Sequence, residues 1–345
     1  MGRMSTKYRV QNPKNNEIVE SFDFITDDAL ETALTTANNT FKQWREKSYE
    51  ERAEVLRKVA QLFDEQRAEL TRIIAEEMGK SVKEGDGEIN DVVEIFNYYA
   101  DNGAEFGADE EIPNQRGGTS VMRKVPLGVI LGIMPWNFPY YQVARFAAPA
   151  LMAGNTVMVK HAEICPRSSQ QIQDILEEAG FPKGAFTNLY ASHDQIATLI
   201  EDSRVQGVSL TGSERAGRQI ASQAGQALKK CVLELGGTDA YVVLDASDVK
   251  EAAQTAWNKR ISNTGQACTS NKRIIVMEDI HDEFVQELIS LADGYVKGDP
   301  LNPGEAGENE YFPLSSRDAA EKLAQQVKLA VDAGATLHTL SLIHI

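Results

Sequence analysis

From about residue 118 the sequence alternates between short apolar runs and amphipathic stretches, and this alternation limits the possible folds more than any other feature. Short runs rich in Val, Ile and Leu predict strands, while apolar residues at intervals of three and four predict helices between them. Strands that alternate with helices form parallel sheets covered by those helices. We therefore predict an α/β fold with a Rossmann-type parallel sheet, whose ligands bind at the carboxyl ends of its strands.

The predicted elements of this part follow one another in the chain. The strands are Val129–Met134, Thr156–Lys160, Phe186–Tyr190, Gly207–Leu210, Cys231–Leu235, Tyr241–Leu244 and Arg273–Met277. The helices are Tyr140–Ala153, Ser168–Ala179, Gln195–Glu201, Ser213–Ala227, Lys250–Trp257, Asp282–Ala292 and Ser316–Asp332. After the last helix, Ala333–Leu337 predicts a turn and a further strand.

The first hundred residues are predicted to be helical. Ser48 and Glu51 have the spacing of a capping box, in which each side chain accepts a backbone N–H at the start of a helix. Behind them an apolar stripe continues through Ile74 and predicts one helix that ends at Gly79. A second predicted helix runs through Val92 and Phe96.

The composition argues against several classes of protein. The 345 residues include 35 Lys and Arg against 51 Asp and Glu, and the resulting net charge of −16 argues against nucleic acid as a partner. No apolar run approaches the roughly 20 residues that cross a bilayer, and the N-terminus lacks the apolar region of a secretory signal. Three widely spaced cysteines favour a reducing cytoplasm over a disulfide framework. No spacing of His or Cys indicates a metal site.

Two residues suit nucleophilic and base chemistry. Cys268 lies in a small, polar, turn-like stretch before a predicted strand, where an exposed thiol near backbone N–H donors can ionise and attack a carbonyl. Taken alone, a lone cysteine is more often structural. Glu234 lies in an apolar predicted strand, where burial would make its carboxylate a better general base. Pairing with a cation, or an outward orientation, explains Glu234 equally well.

Three further segments follow predicted strands. Asn137, within Pro135–Pro139, offers an amide donor to a developing oxyanion, although it also suits a helix cap. Lys160 and Glu163 suit either a ribose diol or a plain surface ion pair. Thr211-Gly212-Ser213 opens a helix whose free N–H groups suit a pyrophosphate, with Ser213 as an ordinary N-cap in the alternative.

Together these segments resemble the NAD(P)-dependent aldehyde dehydrogenase superfamily, over about Val10 to Leu337. Its motifs occur here in the family's order, as Pro135-Trp136-Asn137-Phe138-Pro139, Lys160 with Glu163, Thr211-Gly212-Ser213, Glu234-Leu235-Gly236-Gly237 and Gly265-Gln266-Ala267-Cys268. Short motifs are weak singly, but five in order make coincidence negligible.

The resemblance implies a role for each matched residue. Cys268 would add to an aldehyde, Asn137 and the backbone N–H of Cys268 would bind the oxyanion, and Glu234 would activate the water that hydrolyses the resulting thioester. NAD, or else NADP, would bind at Pro135, Trp136, Lys160, Glu163, Thr211, Gly212, Ser213, Leu235 and Gly236. Because the carboxylate of Glu163 would repel a 2′-phosphate, we predict a preference for NAD.

The family's organisation further implies a division into domains. Residues 1–112 and 132–235 would form the NAD(P)-binding domain, residues 113–131 a strand segment toward an oligomerisation region, and residues 236–345 an incomplete catalytic domain. The family continues with a Glu-x-Phe-Gly-Pro segment that this sequence lacks, and His338–Ile345 closes no element. We therefore expect a fragment of a cytoplasmic homo-oligomer, whose last residues are a cloning scar.

Within the superfamily, Lys160-His161-Ala162-Glu163 and Cys268-Thr269-Ser270 most resemble succinate-semialdehyde dehydrogenases, with His161 in place of a commoner proline. Arg145 lies two helical turns after Asn137 and is a candidate ligand for a distal carboxylate on the substrate, with a surface arginine as the alternative. The leading prediction is oxidation of succinate semialdehyde. The alternatives are another aldehyde, or a dinucleotide-binding fragment without turnover.

Overall fold

A computed structural model describes residues 7–115 and 117–339. Most of the chain end that we expected to be a cloning scar, residues 340–345, lies outside the described residues. The described strands are β1 (Tyr8–Gln11), β2 (Ile18–Phe22), β3 (Glu110–Ile112), β4 (Ser120–Met122), β5 (Val129–Ile133), β6 (Thr156–Lys160), β7 (Phe186–Asn188), β8 (Val205–Thr211), β9 (Lys230–Glu234), β10 (Ala240–Val243), β11 (Arg273–Val276), β12 (Val296–Lys297) and β13 (Glu310–Tyr311).

The described helices are α1 (Asp27–Trp44), α2 (Tyr49–Glu65), α3 (Arg67–Met78), α4 (Val82–Phe106), α5 (Pro139–Met152), α6 (Pro166–Glu178), α7 (His193–Glu201), α8 (Glu214–Gln226), α9 (Val249–Ile261), α10 (Glu278–Asp293) and α11 (Arg317–Asp332), with a 3₁₀ turn at Ser262–Gly265. No helix among the described residues is long and apolar enough to span a bilayer.

The chain forms two compact units, each assembled from separate stretches of sequence. The first unit comprises residues 1–9, 21–70 and 87–235, and the second comprises residues 10–20, 71–86 and 236–345.

The first unit contains a five-stranded parallel sheet in the order β7-β6-β5-β8-β9. The chain builds outward from β5 to β7 and then returns to add β8 and β9 on the other side, so the strand order reverses between β5 and β8. Ile133 pairs with both Lys160 and Leu210, and Thr211 pairs with Glu234. The carboxyl ends of four strands therefore share one edge at a reversal point, which is where such sheets bind ligands.

Helices α1, α7 and α8 pack against β5, β6 and β8 through an apolar core that includes Leu34, Leu131, Leu199 and Val208. Helix α5 contacts β5 and β6. Gly132 permits this contact, because a Cβ at that position would lie 2.6 Å from the ring of Phe146. This close packing against the sheet fixes the position of α5, which begins two residues after Asn137.

The second unit contains smaller sheets. Strands β10 and β11 pair in parallel, as do β12 and β13. Residues Val243, Val249, Ala253, Ala256 and Phe284 form its small core. The segment between the 3₁₀ turn and β11 carries Cys268.

The predicted α/β fold class with a parallel sheet is confirmed, and β6 has the predicted bounds. The predicted capping box is also present, since Ser48 accepts the N–H of Glu51 and Glu51 accepts that of Ser48. Three expectations are wrong. The single helix expected to end at Gly79 is divided at Gln66 into α2 and α3, the first hundred residues contain strands β1 and β2 besides helices, and residues 335–339 form no strand. A strand requires a paired neighbour, which an apolar run cannot specify by itself.

Candidate active site

Lys160 and Glu163 form a partly buried ion pair at the end of β6. The side chain of Lys160 is 6% exposed, and its Nζ donates to Oε1 of Glu163 at 2.6 Å. Burial acts to raise the pKa of Glu163, but the charge and hydrogen bond of Lys160 outweigh it and hold that pKa below its usual value. Nε2 of the exposed His193 lies 3.6 Å from the same oxygen. The carboxylate is thus fixed in position.

A cavity of about 120 Å³ lies beside this pair, between the ends of β5, β6 and β8 and the first turns of α7 and α8. Its lining comprises the apolar residues Ile133, Ile196, Leu210, Ala216 and Ile220 together with Lys160, His193, Arg215, Gln219 and Gln223. Apolar walls suit a flat base, and charged groups beside them suit a ribose and its phosphates. The residues present therefore fit the base and the adjoining ribose of one nucleotide of a nicotinamide dinucleotide.

The predicted pyrophosphate segment lies at the start of α8. Ser213 is the N-cap of this helix, and its side chain accepts the N–H of Ala216. Thr211 ends β8, and the N–H of Gly212 donates to the carbonyl of Glu234 at 2.9 Å. The capping role of Ser213 and an anion site at the helix start are compatible, because the cap accepts only one of the N–H groups that have no acceptor within the helix.

Asn137 is half-buried in the turn between β5 and α5, after Pro135 and Trp136. The turn is tied to the neighbouring strand, since the N–H of Met134 donates to the carbonyl of Lys160 at 3.0 Å. The helix-cap alternative for Asn137 does not hold, because Phe138 is the N-cap residue of α5.

Arg145 projects from α5 toward the ends of β8 and β9. Its Nη2 donates to Oγ1 of Thr211 at 3.0 Å and to Oε1 of Gln142 at 3.1 Å, and its Nη1 lies 3.7 Å from Oε1 of Glu234. The side chain of Arg145 is 36% exposed. The arginine thus lies beside the predicted base at the sheet's carboxyl edge.

Of the alternatives left open for Glu234, burial does not hold, and the structure shows an outward orientation near a cation. The side chain is 55% exposed, because β9 is an edge strand of the sheet rather than an inner one. The following residue, Leu235, is half-buried against the core, and Gly217 allows this contact, since a Cβ there would lie 2.7 Å from Cδ2 of Leu235. Gly236 is the first residue of the second unit's long C-terminal stretch.

Cys268 is exposed and lies in a turn of the second unit, which agrees with the exposure expected from its sequence context. Three successive residues before it adopt positive φ, with Asn263 at 50°, Thr264 at 52° and Gly265 at 76°. Left-handed conformations are costly for non-glycine residues, and such strain is concentrated at functional sites.

Several polar contacts hold this strained turn. Oγ1 of Thr264 accepts the N–H of Phe312 at 3.3 Å, and Oε1 of Gln266 accepts the N–H of Ser315 at 2.9 Å. Nζ of Lys272 donates to the carbonyl of Cys268 at 2.9 Å. The thiol is therefore presented by a backbone that is fixed on both sides.

Glu84 contributes to the same turn and was missed by sequence reasoning. Its Oε1 accepts the N–H of Asn263 at 2.6 Å. The two residues are 179 positions apart, so no local pattern pointed to this contact. Among the described residues, no group of three or more His, Cys, Asp or Glu side chains is placed to hold a metal ion.

Comparison with known proteins places this fold and these residues in a family. The aldehyde dehydrogenase family model matches residues 2–341. Succinate-semialdehyde dehydrogenase [NADP(+)] of Deinococcus radiodurans is 43% identical over 335 residues, which are 97% of this chain and 69% of that protein. Succinate-semialdehyde dehydrogenase [NADP(+)] 1 of Mycobacterium ulcerans is 37% identical, over 94% of this chain and 71% of that protein.

A solved structure shows the same similarity. The succinic semialdehyde dehydrogenase of Streptococcus pyogenes, in complex with NADP+, superposes with a TM-score of 0.92 at 39% identity, over 98% of this chain and 74% of that one. The chain belongs to the aldehyde dehydrogenase family, and the resemblance predicted from its motifs is confirmed. The cofactor in these relatives' names is NADP+, so they do not support the predicted preference for NAD.

Proposed function

We propose that this chain oxidises an aldehyde to a carboxylate through covalent intermediates on Cys268. The observation that carries the proposal is the exposed thiol of Cys268, which follows three residues with left-handed backbone. The thiolate adds to the carbonyl carbon, and the amide of Asn137 and the N–H of Cys268 stabilise the negative charge on oxygen.

Two further changes complete the reaction. Lys160, Glu163 and Ser213 would hold a nicotinamide dinucleotide, which would supply the acceptor for a hydride from the tetrahedral carbon. Loss of that hydride leaves a thioester on Cys268. The carboxylate of Glu234 takes a proton from water, whose oxygen attacks the thioester and releases the acid and the thiolate. Nη1 of Arg145, 3.7 Å from Oε1 of Glu234, restrains that carboxylate only weakly when no substrate is present.

The proposal assigns the dinucleotide to the first unit, at Lys160, Glu163, Ser213 and the cavity beside them, and the nucleophile to the second. A reducing cytoplasm suits it, since the thiol of Cys268 must stay free. Assembly as a homo-oligomer is also proposed. The strand pair β3 and β4 supports it, since Ile112, Val121 and Met122 are exposed there.

Succinate semialdehyde is the proposed substrate. The relatives named above act on it by their names, and Arg145 offers a guanidinium that suits a distal carboxylate. For the cofactor, we propose that NADP is accepted, as in those relatives, and that Glu163 limits this acceptance. Lys160, His193 and Arg215 surround the cavity with cationic or protonatable groups, which offset the carboxylate.

The test is aldehyde oxidation by the purified chain, followed through formation of the reduced dinucleotide. Cys268→Ser should lower the rate by at least about 10³-fold, because it removes the nucleophile. Cys231→Ser, at a half-buried cysteine that the mechanism does not use, should stay within about twofold. Mass spectrometry should detect an acyl group on Cys268. Dinucleotide binding without an acyl-enzyme would contradict the proposal and support a chain that binds the dinucleotide without turnover.

A further inference from the structure

We propose that two buried side chains outside the site described above, Glu88 and His161, position the turn that carries Asn137. The inference rests on the proposed oxyanion role of Asn137. Neither residue belongs to a motif that pointed to catalysis, and both bond to the backbone within four residues after Asn137. They are therefore positioning residues, which act through the turn and not on the reacting atoms.

The start of α5 lacks the usual local cap. Its N-cap residue, Phe138, has φ −139° and ψ 78°, and its side chain makes no capping hydrogen bond. The next residue is Pro139, which has no N–H. The N–H groups of the first turn have no acceptor within the helix, so acceptors come from elsewhere in the protein, because unpaired buried donors are rare in native structures.

Glu88 of α4 supplies that acceptor. Its Oε1 accepts the N–H of Tyr140 at 2.8 Å and that of Tyr141 at 3.1 Å, and the residue is 2% exposed. A carboxylate at a helix N-terminus is favoured by the positive end of the helix dipole. Because a buried carboxylate is costly without hydrogen bonds, these two bonds fix the first turn of α5 relative to α4.

His161 holds the same turn, and it follows the turn in the chain whereas Glu88 precedes it. It is fully buried, and burial lowers its pKa to about 4, so the ring is neutral at physiological pH. Nδ1 accepts the N–H of Ala162 at 2.8 Å, which leaves the hydrogen on Nε2, and Nε2 donates to the carbonyl of Pro139 at 3.0 Å. A neutral ring thus links the end of β6 to the residue two places after Asn137.

These two contacts explain how a turn between a strand and a helix can hold an amide in one place. An oxyanion donor has to lie within about 0.5 Å of its productive position, and small displacements cost rate rather than affinity. The tie from His161 also joins the turn to the strand end that holds Lys160. His161 departs from the commoner proline at this position, and a proline has no side-chain N–H to donate in this bond.

The test compares variants that keep or remove each bond. Glu88→Gln keeps an acceptor oxygen and His161→Gln keeps a donor, whereas Glu88→Leu and His161→Phe remove them. Glu94→Gln, at an exposed position of the same helix α4, is the matched control. We expect Glu88→Leu and His161→Phe to lower kcat about 10- to 100-fold, with the dinucleotide Kd within about twofold of wild type. The Gln variants should recover most of the rate.

A double-mutant cycle with Asn137→Ala decides whether the effect passes through Asn137. If it does, Glu88→Leu or His161→Phe adds little in the Asn137→Ala background. Additive losses, or a parallel fall of kcat and dinucleotide affinity, would overturn the inference. Gln variants that fold but lose as much rate as Glu88→Leu and His161→Phe would also overturn the inference. An Asn137→Ala chain with full activity, in contrast, would mean that the proposed function fails at Asn137 itself.

Discussion

Two carboxylates at the same edge of one parallel sheet, Glu163 and Glu234, are held in opposite ways. Glu163 follows an inner strand, its side chain is 29% exposed, and its Oε1 lies 2.6 Å from Nζ of Lys160. Glu234 ends an edge strand, its side chain is 55% exposed, and its Oε1 lies 3.7 Å from Nη1 of Arg145. The position of a strand in the sheet therefore decides how firmly a group at its end is held.

The difference matches what each residue has to do in the proposed reaction. A group that recognises a ribose works best at a fixed position, and a short, partly buried ion pair provides it. A base that must admit substrate and then activate water needs room to move, and a long, exposed ion pair restrains it weakly. We infer that the end of β6 holds a fixed carboxylate that recognises a ribose, and that the end of β9 holds a movable general base.

The largest expected effect concerns the base. Glu234→Gln should lower steady-state turnover about 10²- to 10⁴-fold, because the amide cannot take a proton from water. The first turnover should survive, since acylation of Cys268 does not use the carboxylate. Rapid mixing would then show a burst of reduced dinucleotide followed by a slow phase.

Glu214→Gln is the matched control for this variant, because Glu214 is an exposed glutamate at the start of α8 in the same unit. It should leave both phases within about twofold of wild type. A Glu234→Gln chain whose burst disappears along with turnover would place Glu234 in the acylation step and break the proposed division between the two carboxylates.

The sequence predicted the parts of the molecule that depend on near neighbours. Ser48 and Glu51 are three positions apart, so their capping box is visible in the sequence and is present in the structure. The bounds of β6 follow from a short apolar run that the sheet buries throughout. The exposed position of Cys268 followed from its small, polar neighbours.

Features that depend on distant neighbours were missed or left open. The exposure of Glu234 was left open, because it follows from the edge position of β9 and local residues do not encode strand order. The contact of Arg145 with Thr211 joins positions 66 residues apart, and that of Glu88 with Tyr140 joins positions 52 apart. The break at Gln66 has no Gly or Pro to mark it, so a continuous apolar stripe predicted one helix where two exist.

A second prediction concerns the partner of the movable base. Arg145→Leu should lower kcat/KM for succinate semialdehyde about 10- to 100-fold, because a hydrogen bond to a charged group contributes about 1.5–3 kcal/mol. For butanal, which has no distal carboxylate, the loss should stay within about threefold, since Glu234 is held only weakly by Arg145. The measurement is kcat/KM for both aldehydes under the same conditions.

Arg218→Leu is the control for Arg145→Leu, because Arg218 is an exposed arginine on α8 whose nearest charged partner is Glu214 on the same helix, 3.8 Å away. Its effect on either aldehyde should be small. Equal losses of Arg145→Leu on both aldehydes would exclude a carboxylate ligand and make Arg145 a positioning residue for Glu234 alone.

The smallest expected effect concerns the firmly held carboxylate. Glu163→Gln should shift the ratio of kcat/KM for NADP to that for NAD about tenfold toward NADP, because it removes the charge that opposes a 2′-phosphate while Lys160 stays in place. Glu177→Gln, at an exposed position of α6 in the same unit, should leave the ratio unchanged. In Glu163→Gln, Lys160 loses its anionic partner, so raised ionic strength should weaken the NADP preference of the variant more than that of wild type.

If the ratio of kcat/KM for NADP to that for NAD does not change in Glu163→Gln, the short ion pair with Lys160 already neutralises Glu163. Cofactor choice would then depend on the other polar residues that line the cavity, His193 and Arg215. The firm hold on the Glu163 carboxylate would then stabilise the fold and would not serve recognition.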